Sequence, residues 1–360
     1  MIGKVIVLII CLIVLLYSVA INIGSTSSET GLNAADTIVK NINNNSLDDF
    51  VYTISDFKSS ALQVNKAIDI YFAQEMHISR SISSCQQMMK YCHEALQGGG
   101  RLRPVICLTT AAMVSEQSTI IHKRSAINDF WQQNKYNRLM NSIYIALAIE
   151  CIHCSSLIVD DLPEFDNDLI RRGEKSFHAK YGPAIAQITA INLLAYAFKL
   201  MTTQILWIKA NRPKLVWYNI AVLLNCEMQH AIGINGAAGG QYLDSIPQMD
   251  SNDIIQVIRK KTSSLICLSI ISGWVLERSD RIESIRLIGD LFGQAFQIAD
   301  DIDDVDKDRE KNAPNYANMY GIDNAKLKVS ERINNARKLL IGYGLYNKTW
   351  STIFIKIQKK

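Results

Sequence analysis

The sequence is poor in residues that interrupt helices. Its 360 residues include only 6 prolines and 18 glycines, too few for the many turns of an all-β protein. It also lacks a charge excess, since 38 basic and 34 acidic residues give a formal net charge of +4. Such a balance gives no reason to expect a nucleic-acid partner. A hydrophobic content of 48% excludes a wholly disordered chain, so we predict a globular protein of long helices.

The eight cysteines form no recognisable framework. Most of them lie inside apolar, helix-like stretches. Cys151 and Cys154 form one C-x-x-C pair, but no second pair follows. A disulfide frame or a structural zinc site needs more cysteines in paired spacing. We therefore predict reduced thiols buried in the core.

The N-terminal residues 5–23 carry no charge and follow Lys4. About 20 apolar residues are enough to cross a bilayer as a helix. Two interpretations stay open, a retained single-pass endomembrane anchor and a cleaved signal that delivers the protein to an organelle. The first predicts a membrane-associated protein, and the second predicts an organelle-targeted one. Residues 24–53 are rich in Ser, Asn, Thr and Asp, as in a linker, and precede a single domain over 54–360.

From about Ile54 onward the apolar residues recur with helical spacing, and no useful alternating run predicts a strand. Residues 118–137 are a polar insertion that we expect to be a surface loop. The architecture expected is all-α, one large bundle with its site between the helices. The helices are predicted over roughly 56–75, 80–96, 104–117, 126–161, 184–209, 214–235, 251–279, 283–303 and 322–342.

Two acidic clusters each follow a strongly apolar helix. Asp300 and Asp304 are four residues apart and share one helix face. Crowded carboxylates are unfavourable unless a cation neutralises them, and oxygen ligands suit Mg²⁺. One such cluster would indicate a solvated helix end, whereas two favour a metal site. An EF-hand is excluded because neither cluster has the loop glycine and terminal glutamate. The clusters are Asp160, Asp161, Asp166 and Asp168, and Asp300, Asp301, Asp303 and Asp304.

Basic residues accompany both clusters. A glycine-rich approach to a helix start exposes N–H groups, and with arginines it predicts an anion seat. His153 lies seven residues before Asp160, two turns away on the same face, which favours a ligand role. The basic groups are Arg101 and Arg103 in GGGRLRP, Arg171 and Arg172 after the first cluster, Lys261 with the hydroxyl of Thr262, and His153.

Together these motifs resemble the trans-isoprenyl diphosphate synthases of the polyprenyl synthetase family, over residues 60–345. The two aspartate motifs stand in the family's order, with RRG after the first and FQ before the second. The resemblance implies the isoprenoid-synthase helical bundle with a central active-site cavity, in a homodimer. It rests on GGGRLRP at 98–104, ECIHCSSLIVDDLPEFDNDLIRRG at 150–173, GGQYLD at 239–244, KT at 261–262 and FGQAFQIADDIDD at 292–304.

The resemblance also implies the reaction and its residues. Three Mg²⁺ ions would bridge the aspartates to an allylic diphosphate, which ionises and is attacked by isopentenyl diphosphate. The implied metal ligands are Asp160, Asp161, Asp166, Asp300, Asp301 and Asp304, supported by Gln241 and Asp244. The implied allylic-diphosphate ligands are Arg171, Lys261, Thr262 and Gln297, and those for isopentenyl diphosphate are Arg103, His153 and Arg172.

Product length in this family depends on side chains four and five residues before the first aspartate. Here they are Ser156 and Ser155, both small. Residues three and four apart stack along one face, so we expect Ser155, Cys151 and Ala148 to form a groove. An open groove predicts geranylgeranyl diphosphate (C20) or a longer product, unless a neighbouring helix closes it.

Several departures from the family keep alternatives open. Gly100 replaces a lysine, Ala190-Ile191 replaces Gly-Asp, and Asn167 stands where aspartate is common. Lys311 is the candidate for a lysine usual after the second motif. One alternative is a non-catalytic, membrane-tethered partner subunit, and another is a short-chain farnesyl diphosphate synthase. A terpene cyclase or head-to-head synthase would not need the second anion seat.

Overall fold

A computed structural model describes residues 56–78, 83–122, 142–245, 253–311 and 313–360. The chain divides into two compact units, 1–48 and 49–360, and every described residue belongs to the second. The predicted anchor or signal at 5–23 and the linker that follows it therefore lie outside the described residues. Most of the predicted surface insertion also does.

The first half of the described chain contains eight helices and one small hairpin. The two strands pair antiparallel, Ile170 with Lys175 and Arg171 with Glu174. The elements are α1 (Phe57–Ile78), α2 (Ser83–Ala95), α3 (Leu102–His122), α4 (Ile143–Asp160), β1 (Ile170–Arg171), β2 (Glu174–Lys175), α5 (Phe177–Tyr181), α6 (Pro183–Asn211), α7 (Lys214–Ile232) and α8 (Ala237–Asp244).

The second half is helical throughout its regular elements. One six-residue stretch has π-helical hydrogen bonding and joins two α-helices without a break. The elements are α9 (Asp253–Val257), the π-turn (Ile258–Ser263), α10 (Ser264–Val275), α11 (Ile282–Asp303), α12 (Val305–Lys311), α13 (Tyr316–Tyr320), α14 (Ile322–Gly342) and α15 (Lys348–Gln358).

The predicted all-α class is confirmed, and prolines mark boundaries as expected. Pro163 follows the end of α4, Pro183 begins α6, and Pro213 caps α7, because proline fits a first helical turn but not a helix interior. The sequence reading missed the hairpin, the short helices α5, α8, α12 and α13, and α15. The hairpin is too short to show alternation, whereas Asn347 at the start of α15 was a readable cap.

The core is built around α4 and α10. Residues 143–152 of α4 are all buried, as is every residue of α10, and helices apolar on all sides belong in an interior. α4 packs chiefly against α6. By length and composition alone α4 and α6 could cross a membrane, but α4 is mostly buried inside the bundle and is a core helix.

A buried ion pair ties three helices together beneath the GGGRLRP loop. Arg101 Nη1 donates to Glu150 Oε1 on α4 at 2.6 Å, and Arg101 Nε donates to Asn65 Oδ1 on α1 at 2.6 Å. Its remaining nitrogen, Nη2, donates to the carbonyl of Leu96. Arg101 is 2% and Glu150 is 1% exposed. The pair fixes the position of the loop relative to α4.

We expect Glu150→Ala to lower the free energy of unfolding by about 3–5 kcal/mol, because it leaves the buried Arg101 charge without a partner. Urea unfolding followed by circular dichroism measures this loss. The matched control is Glu331→Ala, which breaks the surface pair with Lys328 at 2.8 Å and should cost at most about 1 kcal/mol. Equal effects of the two variants would contradict the structural role of Glu150.

Candidate active site

The π-turn joins the two aspartate motifs through adjacent residues. Lys261 Nζ lies 2.6 Å from Asp244 Oδ2 and 3.8 Å from Asp160 Oδ1, on the side of the first motif. Thr262 Oγ1 donates to Gln297 Oε1 at 2.7 Å, and Gln297 Nε2 donates to Asp301 Oδ1 at 2.9 Å. The structure thus brings the two motifs to one place, as the sequence predicted.

Two glycines allow other helices to approach the π-turn closely. A Cβ on Gly240 of α8 would lie 2.5 Å from the backbone nitrogen of Lys261, and one on Gly293 of α11 would lie 2.4 Å from Ser263 Oγ. Any larger residue would force these helices apart. The glycines therefore keep Asp244 and Gln297 within reach of the π-turn.

The first cluster is divided between buried and exposed carboxylates. Asp161 is buried and accepts hydrogen bonds from Arg171 Nε at 2.9 and 3.2 Å. Burial raises the pKa of Asp160 to about 6, although the positive charge of Lys261 acts to lower it. Asp166 stays exposed, with its amide N–H donating to the Asp160 carbonyl at 3.0 Å. Desolvation of these carboxylates is unfavourable, and a bound cation would offset it.

Lysine side chains contact the outer carboxylates. Lys311 pairs with Asp168, so the candidate lysine from the sequence does reach the first motif. Lys360 pairs with Asp300 and with Asp303, at 2.9 Å from Asp303 Oδ2. No sequence pattern predicted this contact, because Lys360 is remote from the motif along the chain.

Asp301 is the most firmly held carboxylate of the second cluster. Its Oδ2 accepts the backbone N–H of Tyr316 at 2.8 Å, and its carbonyl accepts from Asn315 Nδ2 at 2.7 Å. Burial raises the pKa of Asp301 to about 6. Asp304 caps the end of α11 and is exposed at the rim of the site.

The donor set suits a hard cation. Within the described ranges, no three or more histidine, cysteine or carboxylate side chains form a metal cluster, since arginine and lysine groups stand between the aspartates. Gln241 Oε1 is buried and has no hydrogen-bond partner among the described residues. A buried oxygen without a partner, on the helix that also carries Asp244, fits Mg²⁺, which prefers oxygen ligands.

A separate basic seat lies where α3 begins. Arg103 Nη1 is 3.2 Å from His153 Nε2, and Arg103 Nε is buried with no partner in the described part of the chain. Burial is the main cause that holds the pKa of His153 well below its usual value, and the positive charge of Arg103 is the second. The imidazole is therefore neutral. Arg172 Nη1 donates to the Gly98 carbonyl at 2.9 Å. These groups match the predicted second anion site.

The prediction that Arg101 belongs to that seat is wrong. We expected Arg101 to face an anion together with Arg103. Its guanidinium instead turns into the core and is fully engaged by Glu150, Asn65 and Leu96. A buried arginine finds lower free energy beside a carboxylate than unpaired in a cleft, which explains the inward orientation.

Asn167 suits the turn that follows the first cluster. Its φ is +49°, in the left-handed region that asparagine tolerates better than most residues. Arg172 at +56° and Gly173 at +82° continue this turned backbone. The substitution of the usual aspartate is therefore compatible with the loop that positions Arg171 and Arg172.

Comparison with known proteins agrees with the geometry of the site. The family profile described as polyprenyl synthetase matches residues 83–323, more than half of the chain. The chain belongs to the polyprenyl synthetase family. A trans-prenyltransferase of African swine fever virus is 31% identical over 275 residues, which are 75% of this chain and 76% of the viral protein. This enzyme is accordingly a trans-prenyltransferase, and the family resemblance of its motifs is confirmed.

Further relatives differ in the product that their names state. A chloroplastic geranylgeranyl pyrophosphate synthase of Capsicum annuum is 28% identical, covering 79% of this chain and 72% of its own. A farnesyl diphosphate synthase of Bacillus subtilis is 29% identical, covering 73% and 84%. The crystal structure of a FPP/GFPP synthase from Zymomonas mobilis superposes with a TM-score of 0.65 at 23% identity, covering 84% and 98%. Because its sequence identity is low, the similarity to the Zymomonas mobilis structure supports the fold alone.

We expect Asp160→Ala and Asp301→Ala each to reduce turnover by about 10²–10³, the usual loss for one electrostatic stabiliser. Both should also diminish the rise in melting temperature that Mg²⁺ causes in the wild type, a measure independent of activity. Asp306→Ala is the control, since Asp306 is an exposed aspartate of α12. Near-normal turnover of either site variant at saturating Mg²⁺ would refute the metal assignment.

Proposed function

We propose that this trans-prenyltransferase condenses isopentenyl diphosphate with an allylic diphosphate to give geranylgeranyl diphosphate or a longer product. The observation that supports it is the pairing of two distinct anion sites. One surrounds Lys261 and Thr262 between the aspartate motifs, and the other consists of Arg103, His153 and Arg172. A terpene cyclase that acts on one diphosphate substrate does not need the second anion site.

The allylic diphosphate is assigned to the site between the motifs. Its ligands are proposed to be Arg171, Lys261, Thr262 and Gln297, all of which present donor groups there. Three Mg²⁺ ions held by Asp160, Asp161, Asp166, Asp300, Asp301 and Asp304, with Gln241 and Asp244 in support, would neutralise charge on the departing diphosphate. Lys261 stabilises the same charge from a fixed position, which favours cleavage of the C–O bond.

Isopentenyl diphosphate is assigned to the basic seat. Arg103 and Arg172 bind its diphosphate through charge-assisted hydrogen bonds, and neutral His153 contributes a further hydrogen bond. The terminal alkene carbon of isopentenyl diphosphate, C4, then attacks the allylic cation and leaves a tertiary cation at C3. Loss of a proton from C2 to the released diphosphate restores a double bond. The apolar walls from the bundle helices keep water away from the cation.

The test of this function is a turnover assay with the full-length protein in mild detergent. Labelled isopentenyl diphosphate, Mg²⁺ and each allylic primer are supplied, and products are separated by chain length. Elongation of a primer is expected. Because Gly100 removes one family cation, a non-catalytic partner subunit is the second candidate, and absence of turnover by the chain alone would favour it.

The proposed product length rests on Ser156, because α6 covers the helix face that holds Ser155, Cys151 and Ala148. Ser155 Oγ donates to the Ala190 carbonyl of α6 at 2.9 Å, and Cys151 and Ala148 are 1% and 0% exposed. The groove expected along these three residues is therefore closed by the neighbouring helix. Ser156, half-buried and one turn before Asp160, is the small residue on the side of the aspartates.

We expect Ser156→Phe to shorten the main product from C20 towards C15, because a phenyl ring there fills space next to the allylic site. Product analysis by chromatography measures the shift. Ser155→Phe is the matched variant, and it should destabilise the fold by about 1–3 kcal/mol through overpacking against α6. A wild-type product that already stops at C15 would show that another side chain forms the floor.

A homodimer is proposed, and an exposed apolar stripe on α7 supports it. Leu215, Tyr218 and Val222 are 74%, 48% and 37% exposed, and their spacing places them on one face. An apolar face of this kind on a soluble unit is typical of a protein interface. A second copy of the chain is the occupant that the family resemblance implies.

We expect the double variant Leu215→Glu/Val222→Glu to shift the protein from dimer to monomer, since charges in an apolar interface are costly to desolvate. Light scattering after size exclusion measures the mass. Leu327→Glu on α14, also at a position 69% exposed, is the control that should remain dimeric. Unchanged mass of the double variant would exclude this face.

Membrane association through residues 5–23 is proposed for the location. The supporting observation is that these residues are apolar and carry no charge. The sequence has two N-x-S/T glycosylation sequons, at Asn44 and at Asn347. The one at Asn347 is unsuited to a glycan in the folded unit. Asn347 Oδ1 accepts the N–H of Trp350 at 3.1 Å, and Thr349 is 1% exposed.

A further inference from the structure

Asp301 is a buried carboxylate whose partners in the described chain are all neutral. Among the aspartates of the two clusters, Asp161 and Asp301 are buried, at 2% and 6% exposed. Asp161 is paired with Arg171, whereas the carboxylate of Asp301 accepts only neutral donors within the described ranges. A charge in an interior is costly when nothing neutralises it, so the charge of Asp301 is left for a bound cation to offset.

Hydrogen bonds to both oxygens fix the orientation of this carboxylate. Asp301 Oδ1 accepts from Gln297 Nε2 at 2.9 Å, one turn earlier on α11, and Asp301 Oδ2 accepts from the backbone N–H of Tyr316 at 2.8 Å. Tyr316 is the first residue of α13. Neutral donors hold the carboxylate without cancelling its charge. Its orientation therefore depends on where the start of α13 lies.

Asn315 fixes the start of α13 relative to the second motif. It is 1% exposed, has an extended backbone and directly precedes the helix. Its Nδ2 donates to the carbonyl of Asp301 at 2.7 Å and to Asp308 Oδ2 at 2.8 Å. Its Oδ1 accepts the N–H of Asn318 at 2.9 Å. One side chain thus joins α11, α12 and α13.

The contacts of Asn315 use every polar group of an asparagine side chain. Such an amide has two N–H donors and one carbonyl acceptor. Among the residues that commonly cap a helix, serine, threonine, aspartate and asparagine, asparagine alone combines an acceptor with two donors. Aspartate would keep the cap of α13 but has no N–H for the Asp301 carbonyl. The residue type therefore matches a role towards α11 in addition to the cap.

We propose that Asn315 is a positioning residue for Asp301, which places the N–H of Tyr316 so that the carboxylate is oriented towards a divalent cation. This inference rests on the proposed function, in which Asp301 is a metal ligand. Asn315 itself contacts neither the substrate nor the cation in this role. Loss of its amide would free the start of α13 from the end of α11, and Asp301 would lose its fixed orientation.

Titration of the full-length protein with Mg²⁺ tests the role of the side chain. We expect Asn315→Ala to raise the Mg²⁺ concentration at half-maximal turnover by about 10–100-fold, as when a residue that orients a metal ligand is removed. The Mg²⁺ concentration that gives half of the rise in melting temperature should increase equally, and this measurement needs no turnover. KM for isopentenyl diphosphate at saturating Mg²⁺ should change little.

Asn324→Ala is the matched control for a general loosening of α13. Asn324 is exposed, and its Nδ2 donates at 2.8 Å to the carbonyl of Tyr320 at the other end of the helix. This variant also removes one asparagine hydrogen bond from α13, but not one that reaches Asp301. Its Mg²⁺ midpoints should equal those of the wild type.

A pair of variants at Tyr316 tests the backbone N–H itself and does not require that Asn315→Ala folds. Tyr316→Pro removes the N–H, and proline is well accepted at the first position of a helix. Tyr316→Ala removes the same ring but keeps the N–H. We expect the Mg²⁺ midpoint of Tyr316→Pro to be about tenfold or more above that of Tyr316→Ala.

Three results would overturn the proposal. One is a lower melting temperature of Asn315→Ala without Mg²⁺ but an unchanged Mg²⁺ midpoint, which would make Asn315 a helix cap only. Another is an equal midpoint in the two Tyr316 variants. The third is an equal shift by Asn315→Ala in the wild type and in Asp301→Ala, because an effect that acts through this carboxylate must vanish without it.

The two kinds of measurement keep this inference distinct from the proposed function. Absence of primer elongation by the wild type refutes the proposed function. An unshifted Mg²⁺ midpoint in the melting of Asn315→Ala refutes the role of Asn315, whether or not the protein turns over.

Discussion

Repulsion among carboxylates gathered at one end of the bundle is the constraint on which the rest of the site depends. Like charges held close together raise the free energy of the fold unless cations offset them. In this structure the offset comes from amino and guanidinium groups on separate elements, Lys261 of the π-turn, Arg171 of the hairpin, Lys311 of α12 and Lys360 after α15. Amino and guanidinium groups also suit a diphosphate, so in the proposed function neutralisation and substrate binding use one set of residues.

The apolar core makes this concentration of charge possible. Burial of residues 143–152 of α4 and of all of α10 supplies the hydrophobic stabilisation that the polar end lacks. The core also fixes geometry, since Gly240 and Gly293 bring α8 and α11 against the π-turn. A π-turn within an α-helix often marks a functional site. Here it is where neighbouring side chains, Lys261 and Thr262, reach opposite aspartate motifs.

The two anion sites differ in how many of their basic groups already have a carboxylate partner. Around the aspartates each cation already has a carboxylate partner. At the basic seat Arg103 Nε has none among the described residues, and Arg101 serves the fold rather than the substrate. The seat therefore depends on few charges, those of Arg103 and Arg172. The position of Arg101 illustrates that a motif residue can be retained for stability.

The sequence alone determined the fold class, the two aspartate motifs and most of their basic partners. Helical periodicity and the order of local motifs depend on near neighbours along the chain, so they are readable without coordinates. Tertiary structure decided which way Arg101 turns, that α6 closes the groove beside Ser155, and that Lys360 reaches Asp300. These three outcomes depend on contacts between residues 35 to 60 positions apart. No local pattern encodes which helix faces meet, because that is settled by packing the whole core at once.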